Sequence, residues 1–451
     1  MRSVAFSRAT LIPRKAGPAT IVALVVVWAA VWVALRPRGQ ATGSYLGQLC
    51  GAESILLLSI GLVLISTLPL VETWFDGIDR AAIWHRRVAI TGTLLLIPHV
   101  LLAKSQHGGG SGKLLAIAGA LGLLALVIWA IVPRWRSVLP RPLRPAVVAL
   151  REIPGTRRAR AILGGYERWR SFHRTTGLFV AMGFVHGVLD GTPFSQAPAL
   201  RWIYVTVGAI GLAFYAYREL LARHLVALHD YQVDNVQFLG DEIMELSLAP
   251  VGAPMPFVPG QFAMLYLEGA SGWRRHPFSI ASAPASNLLR FTIKALGDDT
   301  TSMRETVQRG MPAVIRGPFG RFTHAKGGKS QLWIAGGLGI APFLSWLRAL
   351  EEDPAPGQID FFYSAADGGA AFVDELDAIA LTHEELRIHL VNTSIDGRLT
   401  AAQALATAGG DPSAFSVFLC GPEGMVHSFQ TQLRHAGVPA KAIHREYFNW
   451  R

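Results

Sequence analysis

Residues 83–103 read IWHRRVAITGTLLLIPHVLLA, an apolar run with a histidine near each end. A run of this length matches the ~20 residues that a helix needs to cross a ~30 Å hydrocarbon core. His85 and His99 lie 14 residues apart. At ~3.6 residues per turn that is close to four full turns, so the two imidazoles share one helix face, ~21 Å apart along its axis. Ionisable side chains inside such a segment are costly and read as functional by default. A lone histidine there is often a packing residue. Here a second pair, His173 and His186, lies on a later apolar segment. These two are 13 residues apart and fall off a common face of an ideal helix, so either a local irregularity, at Gly177 or Gly183, or a different ring approach has to absorb the offset. Neutral imidazole is a common axial ligand of heme iron, and helix bundles hold cofactors between facing helices.

Working outward, the chain has 451 residues, 51% hydrophobic and only 16% charged, enough for two or three domains. Apolar runs fill the first half: Pro18–Leu35, Ser54–Val71, Ile83–Ala103, Leu114–Val132, Thr175–Leu189 and Trp202–Tyr217. They predict an α-helical six-span membrane bundle over residues 18–220, in contact with lipid. Arg2, Arg8, Arg14 and Lys15 precede the first run, but no small-residue cleavage site follows it, so it reads as an uncleaved helix. The net charge of +11 is concentrated: eleven Arg and two acids, Glu152 and Glu167, lie between Arg134 and Arg174. Between two apolar segments this is the positive-inside pattern and not a nucleic-acid surface. It places both termini and the C-terminal half in the cytoplasm, with the Lys104–Lys113 and Asp190–Leu200 connections outside. The expected location is the cell membrane, as a multi-pass protein. Two cysteines, Cys50 and Cys420, supply neither a disulfide framework nor a Cys-based metal site.

From His224 the pattern changes to short strands broken by Gly and Pro, which predicts an antiparallel β-barrel over 224–327. It contains Pro259-Gly260-Gln261-Phe262, His276-Pro277-Phe278-Ser279, Lys294, Gly297-Asp298-Asp299-Thr300 and Gly317-Pro318-Phe319-Gly320. Phe278 offers an aromatic face to a flat cofactor and Ser279 a hydroxyl at its edge. The Gly297–Thr300 turn, at a predicted helix start, offers N–H groups to a pyrophosphate. Residues 328–451 alternate strand and helix, the signature of an α/β doubly wound nucleotide-binding domain. Its first strand runs into Gly336-Gly337-Leu338-Gly339-Ile340-Ala341-Pro342, where glycines admit a phosphate and proline suits a first helical turn. Cys420-Gly421-Pro422-Glu423-Gly424-Met425 follows ~80 residues later.

The 14- and 13-residue histidine spacings, followed in order by these motifs, resemble the ferric reductase/NADPH oxidase family. The likeness runs from about residue 80 to 440, and its soluble part resembles the FAD-binding and NAD(P)H-binding domains of the ferredoxin-NADP reductase superfamily. The resemblance implies two b-type hemes, one held by His85 and His173 and the other by His99 and His186. It implies FAD on His276, Pro277, Phe278, Ser279, Lys294, Gly297 and Thr300, with His276 standing where many members have Arg. NAD(P)H falls to Gly336, Gly337, Gly339, Pro342, Cys420, Gly421 and Pro422. Ser279 and Glu446 resemble the hydroxyl and acid near the flavin, Cys420 the thiol near the nicotinamide, and Phe448 or Trp450 the near-terminal aromatic on the flavin ring. Ala366 departs from the relatives that carry Arg for a 2′-phosphate. Asp367 could bind a ribose hydroxyl and Arg398 a phosphate, so NADH and NADPH both stay open.

The implied activity is electron transfer from NAD(P)H through FAD and two hemes to an external acceptor. A ferric chelate is favoured over O₂, which would yield superoxide. A third reading is an electron-donor module serving a membrane or periplasmic protein.

Overall fold

The computed structural model describes residues 16–103, 111–131, 166–225, 227–240, 242–269, 272–355, 357–366 and 371–446. The chain forms two compact units that divide between Leu225 and Val226.

The first unit is helical: α1 (Ala16–Ala34), α2 (Thr42–Leu64), α3 (Pro69–Phe75), α4 (Ile78–Leu102), α5 (Ser111–Ile131), α6 (Tyr166–His173), α7 (Thr176–Asp190) and α8 (Pro198–Ala216), the last continued by a π-helical turn, Tyr217–Leu221. Among the described residues four helices are long and apolar enough to cross a membrane: Ala16–Ala34, Thr42–Leu64, Gly112–Ala130 and Pro198–Leu221. Six were expected. The two that fall short are those with the histidines: α7 has 15 residues, and α4 carries Asp79, Arg80, Arg86 and Arg87 ahead of its apolar stretch. The second expected span, Ser54–Val71, is displaced. Its helix begins at Thr42 and ends at Leu64, Thr67 turns with φ +57°, and Pro69 opens the separate α3. The polar first turns of α2 are tolerated because they find partners, Tyr45 donating to the Trp32 carbonyl and Gln48 to the Thr192 hydroxyl.

Close approach of α2 and α4 rests on Gly47 and Gly51. A Cβ on Gly51 would lie 2.6 Å from Nδ1 of His99, and one on Gly47 would strike the backbone of Ala103. This is the small-residue packing by which apolar helices come together. The irregularity between His173 and His186 lies at neither Gly177 nor Gly183, both inside regular α7. It precedes them. Arg174 and Thr175 form a turn in which Thr175 N–H and Oγ1 both donate to the Phe172 carbonyl, at 2.9 and 2.7 Å. The arginine-rich segment 132–165 and residues 104–110 lie outside the described residues.

The second unit begins with a six-stranded antiparallel sheet in the order β4-β3-β6-β1-β2-β5. Its strands are β1 (His229–Leu239), β2 (Ile243–Pro250), β3 (Phe262–Gly269), β4 (Gly272–Ser279), β5 (Leu289–Lys294) and β6 (Pro312–Phe319), with α9 (Asp298–Thr306) between the last two. Leu246, Leu265, Phe291 and Ile315 fill its interior. In β4 the residues Arg274, Arg275, His276 and Pro277 break the apolar alternation. This strand sits at one end of the strand order and, among the described residues, pairs as a strand with β3 alone, where proline and charge are tolerated.

A five-stranded parallel sheet follows, in the order β11-β10-β7-β8-β9. Its elements are β7 (Ser330–Gly336), α10 (Ala341–Leu347), β8 (Gln358–Ala365), α11 (Val373–Thr382), β9 (Leu386–Asn392), α12 (Ala401–Ala408), β10 (Phe415–Cys420), α13 (Glu423–His435) and β11 (Ile443–Glu446). Trp333, Phe343, Trp346, Phe361 and Phe418 pack as one buried aromatic cluster. Each side chain of this kind contributes roughly 1.5–3 kcal/mol by burial. Arg348, just after α10, ties this sheet to the barrel. It donates to Glu245 of β2 (2.8 Å), to the Ala281 carbonyl (2.9 Å) and, as a fork, to Glu375 of α11 (2.7 and 2.8 Å).

Candidate functional site

The strand order of the parallel sheet reverses between β7 and β10, the first leading out to β8 and β9 and the second to β11. In open α/β sheets ligands bind in the crevice outside the carboxyl ends of strands at such a point. Both glycine motifs meet there. Gly336 ends β7 and Cys420 ends β10, and their strands are hydrogen-bonded neighbours. A Cβ on Gly339 would collide with the Cys420 carbonyl and lie 2.6 Å from the Gly421 nitrogen; one on Gly336 would lie 3.2 Å from Pro422. Gly337 adopts φ +52° with open space around it, and Pro342 lies in the first turn of α10. The structure therefore gathers Gly336, Gly337, Gly339, Pro342, Cys420, Gly421 and Pro422 around one crevice. Arg398 stands apart, exposed in the loop after β9, two strands away from the crevice. That loop and Ala366 are neighbours, since Thr393 N–H donates to the Ala365 carbonyl (2.8 Å). Asp367 lies outside the described residues, as do Phe448 and Trp450.

Glu446 ends β11 in register with Cys420. Burial, and then the Glu446 charge, push the Cys420 thiol well above its ordinary range. On the barrel side, Ser279 pairs with Phe262, and Phe262 with Phe319. Gln261 binds the Gly320 carbonyl (3.2 Å) and the Val258 N–H (2.8 Å), joining two of the barrel motifs. A Cβ on Gly320 would lie 3.6 Å from Glu446 Oε1 and 2.9 Å from the Phe262 ring. Ser279, Phe262, Gly320, Glu446 and Cys420 thus form one neighbourhood at the junction of barrel and sheet. Ser279 is 4% exposed, and its hydroxyl has no hydrogen-bond partner among the described groups.

His276 and Phe278 share one face of β4, their rings stacked at 5.9 Å and 28°. Phe278 also packs against the barrel core. Asp299 in the first turn of α9 binds Arg274 (3.0 Å) and lies 3.7 Å from His276 Nε2. Arg274, not singled out from the sequence, is thereby set beside the expected pyrophosphate position; its spacing of two from His276 on a strand was the available signal. Thr300 Oγ1 accepts from the N–H groups of Leu296 (3.0 Å) and Gly297 (3.2 Å), so these residues cap α9 first of all. Lys294 is held by Glu242 at 2.6 Å.

In the helical unit the four histidines stand as two pairs. His85 faces His173 with ring centroids 6.1 Å apart, and His99 faces His186 at 6.2 Å. Nδ1 of His85 donates to the Gly61 carbonyl and Nδ1 of His99 to the Gly47 carbonyl, both at 2.9 Å. His173 stacks on Trp169 at 4.7 Å and 18°. His186 Nδ1 lies 3.2 Å from Asp190 Oδ2. A cavity of about 330 Å³ opens around the second pair, lined by His99, His186, Gly51, Ser54, Gly183 and Asp190 among others. Among the described residues no cluster of three or more His, Cys, Asp or Glu exists. The supports Gly47, Gly61, Trp169 and Asp190 were missed in the sequence. Gly47 and Gly51 were legible as a Gly-x-x-x-Gly pair, and Asp190 by its i,i+4 spacing from His186.

Two family models match the second unit: an FAD-binding domain over residues 229–337 and an oxidoreductase NAD-binding domain over 333–431. The chain is 34% identical over 146 residues to methane monooxygenase component C of Methylosinus trichosporium, covering 31% of this chain and 42% of that protein. It is 25% identical over 228 residues to the carnitine monooxygenase reductase subunit of Escherichia coli, covering 49% and 68%. A solved structure, the FAD/NAD-binding domain of nitric oxide dioxygenase from Vibrio cholerae, aligns with 49% of this chain and 98% of that one, at 20% identity and TM-score 0.44. These relatives match part of the chain, and the first is spanned for less than half its length. The barrel and parallel sheet thus carry an FAD-binding domain and an oxidoreductase NAD-binding domain, a module similar to that of oxygenase reductases.

Proposed function

We propose that this protein is a membrane-embedded flavocytochrome reductase in which the two histidine pairs hold b-type hemes. The observation that carries the reading is the ring separation. Two metal–imidazole bonds of about 2.0–2.1 Å, plus about 1.1 Å from each nitrogen to its ring centre, put two imidazoles sharing one metal ~6.3 Å apart. The pairs stand at 6.1 and 6.2 Å. Engaging Nδ1 with a carbonyl fixes the tautomer and leaves Nε2 as the ligand atom, as metal-binding histidines require. His99 and His186 moreover face each other across a cavity, where packing histidines would sooner hydrogen-bond each other.

The module residues fit their cofactors as well. The crevice beside Gly336–Gly339 and Cys420–Pro422 admits a dinucleotide backbone, and the unpartnered Ser279 hydroxyl points to a polar flavin edge. When bound, FAD would supply the exchange between a two-electron hydride donor and one-electron carriers, and heme would supply one-electron chemistry. The protein's own part is to orient these groups: the glycine crevice holds the coenzyme, Ser279 and Glu446 flank the flavin position, and the apolar helices exclude water around the imidazoles. The ferric reductase/NADPH oxidase likeness and the arginine-rich segment support a multi-pass cell-membrane protein with cytoplasmic nucleotide domains. Six crossings then require α4 and α7 to span with their polar residues turned inward.

For the acceptor, a ferric chelate finds no support among the named relatives. One of them is the reductase subunit of a monooxygenase, which favours donation to a protein partner; O₂ is the alternative. The test is heme content and turnover of the purified full chain. His99→Ala and His186→Ala should each remove about half the heme while NAD(P)H-to-dye activity survives. Full heme content in both would end the heme reading. Rapid reduction of a ferric chelate under argon would end the partner reading.

A further inference from the structure

The four candidate ligands are supported unequally. His85 and His99 lean on neutral carbonyls, and His173 on the face of Trp169. Behind His186 stands a carboxylate, Asp190, one turn further along α7 and 3.2 Å from Nδ1. Residues four apart on a helix share a face, so this contact is built into α7.

A second element fixes the carboxylate. Gly112 is the second residue of α5, and a Cβ there would collide with the Asp190 carboxylate, 2.8 Å from Oδ1. The acid therefore rests against the opening turn of a 21-residue helix. Helix N-termini carry unsatisfied N–H groups and the positive end of the dipole, and they favour negative charge. Asp190 is held between an imidazole N–H and a helix start, with only a glycine's room to spare. An outer-sphere carboxylate raises the basicity of the histidine it binds and so stabilises the more oxidised metal.

We propose that Asp190 is a positioning residue that sets a carboxylate behind the His186 ring and thereby holds the potential of the His99–His186 site below what a neutral acceptor would give. The proposal rests on the heme reading above. Its consequence is that the electron leaves this site with more reducing power, which suits an acceptor that is hard to reduce.

The experiment is a spectroelectrochemical titration of the full-length protein in detergent at one fixed pH, comparing wild type, Asp190→Asn and Gly112→Ala. Asparagine keeps the shape and an acceptor oxygen but removes the charge; alanine at 112 displaces the carboxylate without removing it. Both should make one heme couple easier to reduce by about tenfold, or ~59 mV for one electron, and leave the other unmoved. In a His85→Ala background the surviving couple should carry the Asp190→Asn shift. Two unmoved couples in Asp190→Asn would overturn the proposal. If that variant loses its heme, an unmoved Gly112→Ala protein would overturn it equally. Wild-type heme content in both His99→Ala and His186→Ala would instead remove the underlying heme reading, whatever Asp190 does.

Discussion

Cys420 and Glu446 stand opposite each other at the carboxyl ends of β10 and β11, both buried, with the thiol beside the crevice of the parallel sheet. Burial first, and the neighbouring carboxylate second, keep the thiol protonated well above its usual pKa of 9.0. The folded state therefore binds a proton that the unfolded chain releases near pH 9. This stability is complete below that pH and is lost as the pH rises toward the folded value, at up to ~1.4 kcal/mol per pH unit for one proton. Cys420→Ala should flatten the alkaline limb of a stability–pH profile. An unchanged limb would show that the thiol is not the group responsible. In the folded protein Cys420 should also resist alkylation at pH 8.

Two glycines of the nucleotide-binding motifs should behave oppositely. Gly339→Ala drives a methyl into the Cys420 backbone, which cannot move aside like a flexible side chain. It should cost about 1–3 kcal/mol and raise the KM for coenzyme. Gly424→Ala meets nothing within 4 Å and lies in α13, so it should be neutral or stabilise by up to ~1 kcal/mol. Thermal unfolding of both variants checks the contrast; similar Tm changes would refute the packing argument.

Arg348 should matter more for stability than any exposed cation. Its removal leaves Glu245, 5% exposed, without its closest partner, and frees Glu375. Arg348→Met should cost about 3–5 kcal/mol, the usual penalty for stranding a buried charge. Arg348→Lys should recover only part, because an ammonium cannot reproduce the fork to Glu375. A chemical-denaturation midpoint unmoved in Arg348→Met would disprove the linkage of barrel and sheet.

Ser279→Ala separates chemistry from stability. The hydroxyl is buried without a partner among the described groups, so its loss should leave Tm unchanged or raise it by up to ~1 kcal/mol in stability. If the hydroxyl meets the flavin, the rate of flavin reduction by NAD(P)H should fall by about tenfold to a hundredfold. Unchanged reduction kinetics would remove Ser279 from the site.

On the proposed reading, coenzyme choice rests on the loops after β8 and β9. Ala366 offers no fork to a 2′-phosphate, so the wild type should prefer NADH or discriminate weakly. Ala366→Arg should raise kcat/KM for NADPH specifically. A wild-type preference for NADPH beyond about a hundredfold, roughly 2.7 kcal/mol, would mean that Arg398 or another group reads the phosphate.

The histidines were legible because spacing on a helix is arithmetic, and the nucleotide crevice because its glycines occur where strands end. Supports were less legible. The carbonyls of Gly47 and Gly61 have no side-chain signature, and only the folded α2–α4 contact sets them behind His99 and His85. The span of α2 was misplaced because Tyr45 and Gln48 look like loop residues until their partners in Trp32 and Thr192 are known. The break before Thr176 is written in threonine-to-carbonyl bonds and not in the glycines nearby.

The edge strand β4 has one more consequence, for self-association. An open strand edge invites pairing with another molecule, and β4 lies at one end of the barrel's strand order. Pro277 has no N–H to offer an incoming strand, and Arg275, next to the Asp299-bound Arg274, sets a positive charge along it. A second copy laid alongside would meet a missing donor and mutual repulsion. The residues that disguise this segment in the sequence also keep it from seeding aggregates, so Pro277→Val should produce a protein more prone to oligomerise during expression.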